Sequence, residues 1–102
     1  MPVMQIKYTQ KAIDDLQEVF SYIALDNKLT AKRYINKLKS KIELLSITPL
    51  MGVDCRKKGI DLDGRLLIFE NYLIFYQISG DDLIIYRVLH SALNDGCHPK
   101  IN

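Results

Sequence analysis

Three basic side chains stand inside the most apolar stretch of the chain, RLLIFENYLIFYQISGDDLIIYRVLH: Arg65, Arg87 and His90. Guanidinium forks match the oxygens of phosphates and carboxylates. An imidazole titrates near neutrality and can give or take a proton. Two arginines and a histidine could therefore stabilise a charged phosphate and move a proton without a metal. They could equally bind a partner, or merely finish the sheet. A second cationic set, Arg56, Lys57 and Lys58, lies upstream in a segment punctuated by Pro49, Gly52, Gly59 and Gly64. Spacing weighs against a catalytic cluster. Arg87 and His90 are three residues apart, and an odd separation in a regular strand puts side chains on opposite faces unless a bulge or strand end intervenes.

Other chemistries lack their residues. There is no Gly-rich phosphate loop, no GxSxG, no HExxH and no calcium loop. Cys55 and Cys97 are far apart and form no CxxC pair, so two free thiols are expected in a cytoplasmic chain. Cys97 and His98 alone are too few to hold zinc. No metal and no cofactor is expected. The start, MPVMQIKY, lacks a basic segment followed by an apolar core, and no apolar run approaches a membrane span. The expected location is the cytoplasm, with no membrane partner.

The elements that must position these residues follow from periodicity. At 102 residues, the chain has room for a single core, and one domain spanning 1–102 is expected. Met4–Tyr8 alternates as a short strand. Thr9 is placed to cap a helix whose apolar face is Ala12, Ile13, Leu16, Val19, Phe20, Ile23 and Ala24, with Asp14, Asp15, Gln17 and Glu18 on the other side. Thr30 is read as the cap of a second helix, with Ala31, Tyr34, Ile35, Leu38, Ile42 and Leu45 as its stripe. Thr48-Pro49 ends it. Residues 48–64 read as an irregular loop. Leu66–Phe69, Tyr72–Ile78 and Leu83–Leu89 read as strands, the last two joined at Ser79-Gly80-Asp81-Asp82 as a hairpin. Tyr72, Tyr76 and Tyr86 share a parity with apolar neighbours and are expected to pack. The tail 94–102 reads as irregular. The order β-α-α-β-β-β predicts an α+β domain: two antiparallel helices on one face of a small, mainly antiparallel sheet. The other face is expected to be open or reserved for a partner.

Net charge is only +2, but residues 28–58 hold nine basic side chains against Glu43 and Asp54, leaving the remainder acidic. That asymmetry points to an acidic partner facing the middle of the chain.

Several segments together carry a family pattern: DDLQEVFSYIA (14–24), AKRYINKLKSKIELL (31–45), PLMG (49–52), NYLIFYQI (71–78) and IIYRVLHSALN (84–94). On these the chain resembles the RelE/ParE superfamily of type II toxin–antitoxin toxins, and more closely its ParE branch. The resemblance spans nearly the whole chain. It implies a toxin neutralised by a cognate antitoxin in a hetero-oligomer. For a ParE-like member it implies growth inhibition by binding a protein target such as DNA gyrase, with no catalytic site. In that reading Arg56, Lys57, Lys58, Arg65, Arg87 and His90 bind target or antitoxin. A RelE-like member would instead be a ribosome-dependent mRNA endoribonuclease, with Arg65 and Arg87 on the phosphate, His90 as acid or base and Lys57 and Lys58 holding RNA. RelE-like enzymes carry a denser basic C-terminal segment; here SALNDGCHPKIN supplies only His98 and Lys100. The third reading is a non-toxic binding module on the same fold.

Overall fold

The computed structural model describes residues 3–61 and 63–90. Cys97, His98, Lys100 and the tail 94–102 lie outside the described residues. The elements are β1 (Gln5–Tyr8), α1 (Gln10–Ala24), α2 (Lys28–Ile47), β2 (Val53–Asp54), a single 3-10 turn (Arg56–Lys58), β3 (Arg65–Phe69), β4 (Tyr72–Ser79) and β5 (Asp82–His90). They form one five-stranded sheet in the order β1-β5-β4-β3-β2. All neighbours are antiparallel except β1, which runs parallel to β5. The α+β fold with a helical pair ahead of a meander is as the periodicity predicts.

Helix α1 begins where Thr9 accepts the backbone N–H of Ala12 at 3.1 Å. Helix α2 starts earlier than its sequence suggests. Asn27, not Thr30, is the cap, and its side-chain oxygen accepts the Thr30 N–H at 3.0 Å. Both residue types cap well, but asparagine is the stronger. Using it gives the helix another turn and shortens the link between the helices. Ala12, Leu16 and Val19 from α1 and Leu38, Ile42 and Leu45 from α2 bury against Tyr72, Ile74, Tyr76, Leu83, Ile85 and Val88 on the sheet. Neither helix would persist alone in water; the shared core fixes both.

The far face of the sheet is not open throughout. Residues 53–60, read from sequence as irregular, supply β2 and the 3-10 turn and fold over it. Cys55 and Ile60 pack there on Leu66, Leu73, Phe75, Tyr86 and Leu89. The whole run Tyr72–Tyr76 is thereby buried. Period-2 alternation could not reveal this, because a strand covered on both faces reads as a continuous apolar run. Cys55 is a free thiol, and burial above all, then the charge of Asp54, pushes its pKa up.

Candidate functional site

The register of β5 decides where its polar residues go. Tyr76 pairs with Ile85, yet Phe75 pairs with Arg87, so Tyr86 is an extra residue forming a β-bulge. A bulge interrupts the ladder and re-aims side chains. Tyr72 and Tyr76 pack under the helices, whereas Tyr86 joins the opposite cluster. There its hydroxyl bonds to the side-chain oxygen of Gln77. The shared parity of the three tyrosines holds for the two on β4 and fails at the bulge.

Strand β1 pairs with β5 only as far as Ile85, and the start of α1 takes up backbone groups beyond it. Thr9 donates its hydroxyl to the Tyr86 carbonyl at 2.8 Å. The Val88 N–H donates to Asp15 Oδ2 at 3.0 Å. The same carboxylate receives Arg87 Nε at 2.8 Å and an Arg87 terminal nitrogen at 3.0 Å. Asp15 is only 8% exposed. Its place on the solvent side of α1, as helical periodicity suggests, is therefore corrected: it faces β5. The bond from Asp15 raises the arginine's pKa further, against the opposing effect of burial. Arg87 is thus a clamp between α1 and β5.

The other two members of the presumed set are engaged elsewhere. Arg65 donates to the carbonyls of Gly52 at 2.7 Å and Leu50 at 3.4 Å. It shares that turn with Tyr76, whose hydroxyl donates to the Pro49 carbonyl at 2.7 Å and accepts the Gly52 N–H at 2.9 Å. A Cβ at Gly52 would lie 2.6 Å from the Tyr76 hydroxyl and 2.7 Å from the Leu66 carbonyl. The PLMG segment is therefore a fixed turn, with Leu50 and Met51 exposed on it. His90 pairs across the ladder with Tyr72 and stands edge-on to its ring, the centroids 4.8 Å apart. Arg65 is turned to the 49–52 turn, Arg87 to α1 and His90 to an aromatic ring. The fold brings each to a different neighbour.

Arg56, Lys57 and Lys58 are exposed on the 3-10 turn. Gly59 closes that turn in the left-handed region (φ 79°) with its N–H on the Arg56 carbonyl. Arg56 lies 3.6–3.8 Å from the carboxylates of Asp63 and Asp61. Such exposed pairs are weakly held, so all three cations are available to a partner. One further polar cluster was not read from the sequence. At the β3–β4 turn, Glu70 accepts the Tyr34 hydroxyl at 2.9 Å and Lys37 Nζ at 3.2 Å. Tyr34 and Lys37 are neighbours on α2, but Glu70 lies 36 and 33 residues further on, and only the packing of the helix against the sheet unites them. Among the described residues no group of three or more His, Cys, Asp or Glu side chains is placed to hold a metal ion.

What the arrangement presents is surface: exposed cations, a rigid apolar turn and a clamped edge. A family model described as the ParE toxin of the type II toxin–antitoxin system parDE matches residues 6–94. The chain belongs to the ParE toxin family. Toxin ParE3 of Caulobacter vibrioides is 25% identical over 87 residues, covering 84% of this chain and 85% of that protein. A solved structure described as the chromosomal ParDE TA system from P. aeruginosa superposes with a TM-score of 0.71 at 19% identity, over 86% of this chain and 96% of the other. At that identity it speaks to the fold, and it agrees with the helical pair and meander seen in this ParE-family toxin. No helix among the described residues is long and apolar enough to cross a membrane.

Proposed function

We propose that this ParE-family toxin inhibits growth by binding a protein target, DNA gyrase in the first instance, and is neutralised by a cognate antitoxin that binds it as a hetero-oligomer in the cytoplasm. The chain acts as a single domain and works through surfaces. Arg56, Lys57 and Lys58 contribute charge to those contacts. Arg65 and Arg87 contribute indirectly, by fixing the 49–52 turn and the α1 edge.

The observation that carries this reading is the dispersal of the presumed catalytic set. RNA cleavage without a metal needs a proton-transfer group and charge-stabilising groups converging on one phosphate. Here Asp15 takes the Arg87 guanidinium with two hydrogen bonds, while Arg65, two strands away on β3, is committed to the backbone carbonyls of the 49–52 turn. An antitoxin fits the charge. Residues 28–58 are strongly basic, so an acidic, amphipathic segment is the complementary partner.

Induction of the chain without an antitoxin tests the reading. Plasmid supercoiling should change while transcripts stay intact, and His90→Ala should arrest growth as the parent does. Transcript cleavage that vanishes in His90→Ala and Arg65→Ala would instead establish the endoribonuclease. Absence of any growth effect would leave a non-toxic binding module.

A further inference from the structure

The outward side of α2 carries Arg33, Lys37, Lys41 and Leu44 at three- and four-residue spacing, which places them on one stripe. Together with Phe69 of β3 they line an open groove of about 570 Å³. Its rim is cationic. Arg33 and Lys37 are exposed, and Arg33 has no ion-pair partner among the described residues. Its floor is apolar: Lys41 lies 5.8 Å from the centre of the Phe69 ring, and Leu44 remains exposed beside it. A groove with basic walls and an apolar floor complements a segment that alternates carboxylates with an apolar side chain.

One carboxylate is already seated at this groove. Glu70 bonds to Lys37 and to the Tyr34 hydroxyl, and those two bonds hold its pKa below the usual carboxylate range. It does so from a backbone conformation that L side chains rarely adopt, φ 54°, and it is the one non-glycine residue with positive φ among the described residues. Glycine would suit that turn position better. A side chain kept where the backbone disfavours one is best explained by what it does, and what this one does is neutralise Lys37.

We infer that the α2 groove is a docking site for an acidic peptide segment with an apolar anchor, and that Glu70 is a built-in competitor occupying one of its carboxylate positions. The partner's acids meet Arg33, Lys37 and Lys41, and its anchor sits between Leu44 and Phe69. As the partner binds, Glu70 yields Lys37 to it. The inference rests on the antitoxin reading only in taking a protein segment as the occupant.

Fluorescence anisotropy tests it with three labelled probes: a Glu/Leu peptide patterned as an amphipathic helix, the same peptide with Lys for Glu, and a single-stranded oligonucleotide of matching negative charge. The full chain should bind the acidic peptide in a salt-sensitive manner and bind the other two more weakly. Replacing Arg33, Lys37 and Lys41 together by Gln should weaken the acidic peptide about tenfold or more, while replacing Lys7, Lys11 and Lys100 by Gln, an equal loss of charge outside residues 28–58, should have a much smaller effect. Glu70→Gln and Glu70→Gly should both tighten binding about threefold, by releasing Lys37. Far-UV circular dichroism confirms that each variant is folded. No binding of the acidic peptide, equal losses in the two triple variants, or tighter binding of the oligonucleotide would overturn the inference. Growth arrest in the same variants separates it from the toxin reading. A chain that arrests growth but ignores the peptide loses the groove alone, and one that binds the peptide without arresting growth loses the toxin reading alone.

Discussion

Asp15 joins three hydrogen bonds on one carboxylate, two from Arg87 and one from the Val88 N–H. Removing it takes two hydrogen bonds and an ion pair from a partly buried guanidinium and the acceptor from a buried amide. Asp15→Ala is therefore expected to cost about 3 kcal/mol, in the lower range for breaking a buried ion pair; Arg87 keeps 24% of its side chain in water, which moderates the loss. Asp15→Asn retains an acceptor for Val88 and should cost less than half as much. Urea unfolding monitored by circular dichroism, with unchanged m-value, reads both shifts. Equal stability in the parent and Asp15→Ala would mean that the clamp contributes nothing. The residue was partly legible beforehand. Asp15 lies three after Ala12 and four before Val19, at helical spacing within the buried stripe, but an acid there reads as solvent-facing until its cationic partner is located. Arg87 was legible as a residue that needs a carboxylate; which carboxylate depended on how α1 crosses the edge of β5.

The elements themselves were read with their order and type, because the apolar periods of 3.6 and 2 are strong along α1, α2, β4 and β5. Boundaries and covers were harder. Asn27 and Thr30 both carry capping oxygens, and only the packed helical hairpin selects between them. Strand β2 has two residues, too few for a periodic signal, and the bulge at Tyr86 leaves no local mark because the extra residue is itself a good strand former. The tyrosines report on this packing. Burial pushes the phenols of Tyr8, Tyr34, Tyr72 and Tyr86 above their ordinary value of 10.0, with Glu70 adding to the effect at Tyr34. Folding thus favours the neutral phenols. Their contribution to stability is fully present below pH 10 and is lost as the pH rises past the ordinary value towards the folded ones. A spectrophotometric titration should show these four ionising late, together with loss of helical circular dichroism. Reversible ionisation of all six tyrosines near pH 10, with the fold intact, would contradict the packing of both clusters.

For the whole molecule, the family pattern was legible because its signature segments lie on elements that build the core: YLIFYQI runs along β4 and IIYRVLH along β5. The surface was less so. Sequence gives the charge asymmetry between residues 28–58 and the rest, but it does not say that Arg65, Arg87 and His90 are drawn to separate neighbours, or that α2 lines up Arg33, Lys37 and Lys41 beside Phe69. Those facts depend on long-range pairings. They shift the account of this ParE-family toxin from chemistry at a point to recognition across a surface, and long-range charge makes such recognition sensitive to salt. The most direct test is a supercoiling assay with purified DNA gyrase, relaxed plasmid and the purified chain. Dose-dependent inhibition is expected, persisting in His90→Ala and weakening when Arg56, Lys57 and Lys58 are neutralised together. Unimpaired supercoiling at saturating chain, alongside cleavage of mRNA on ribosomes that His90→Ala abolishes, would contradict it.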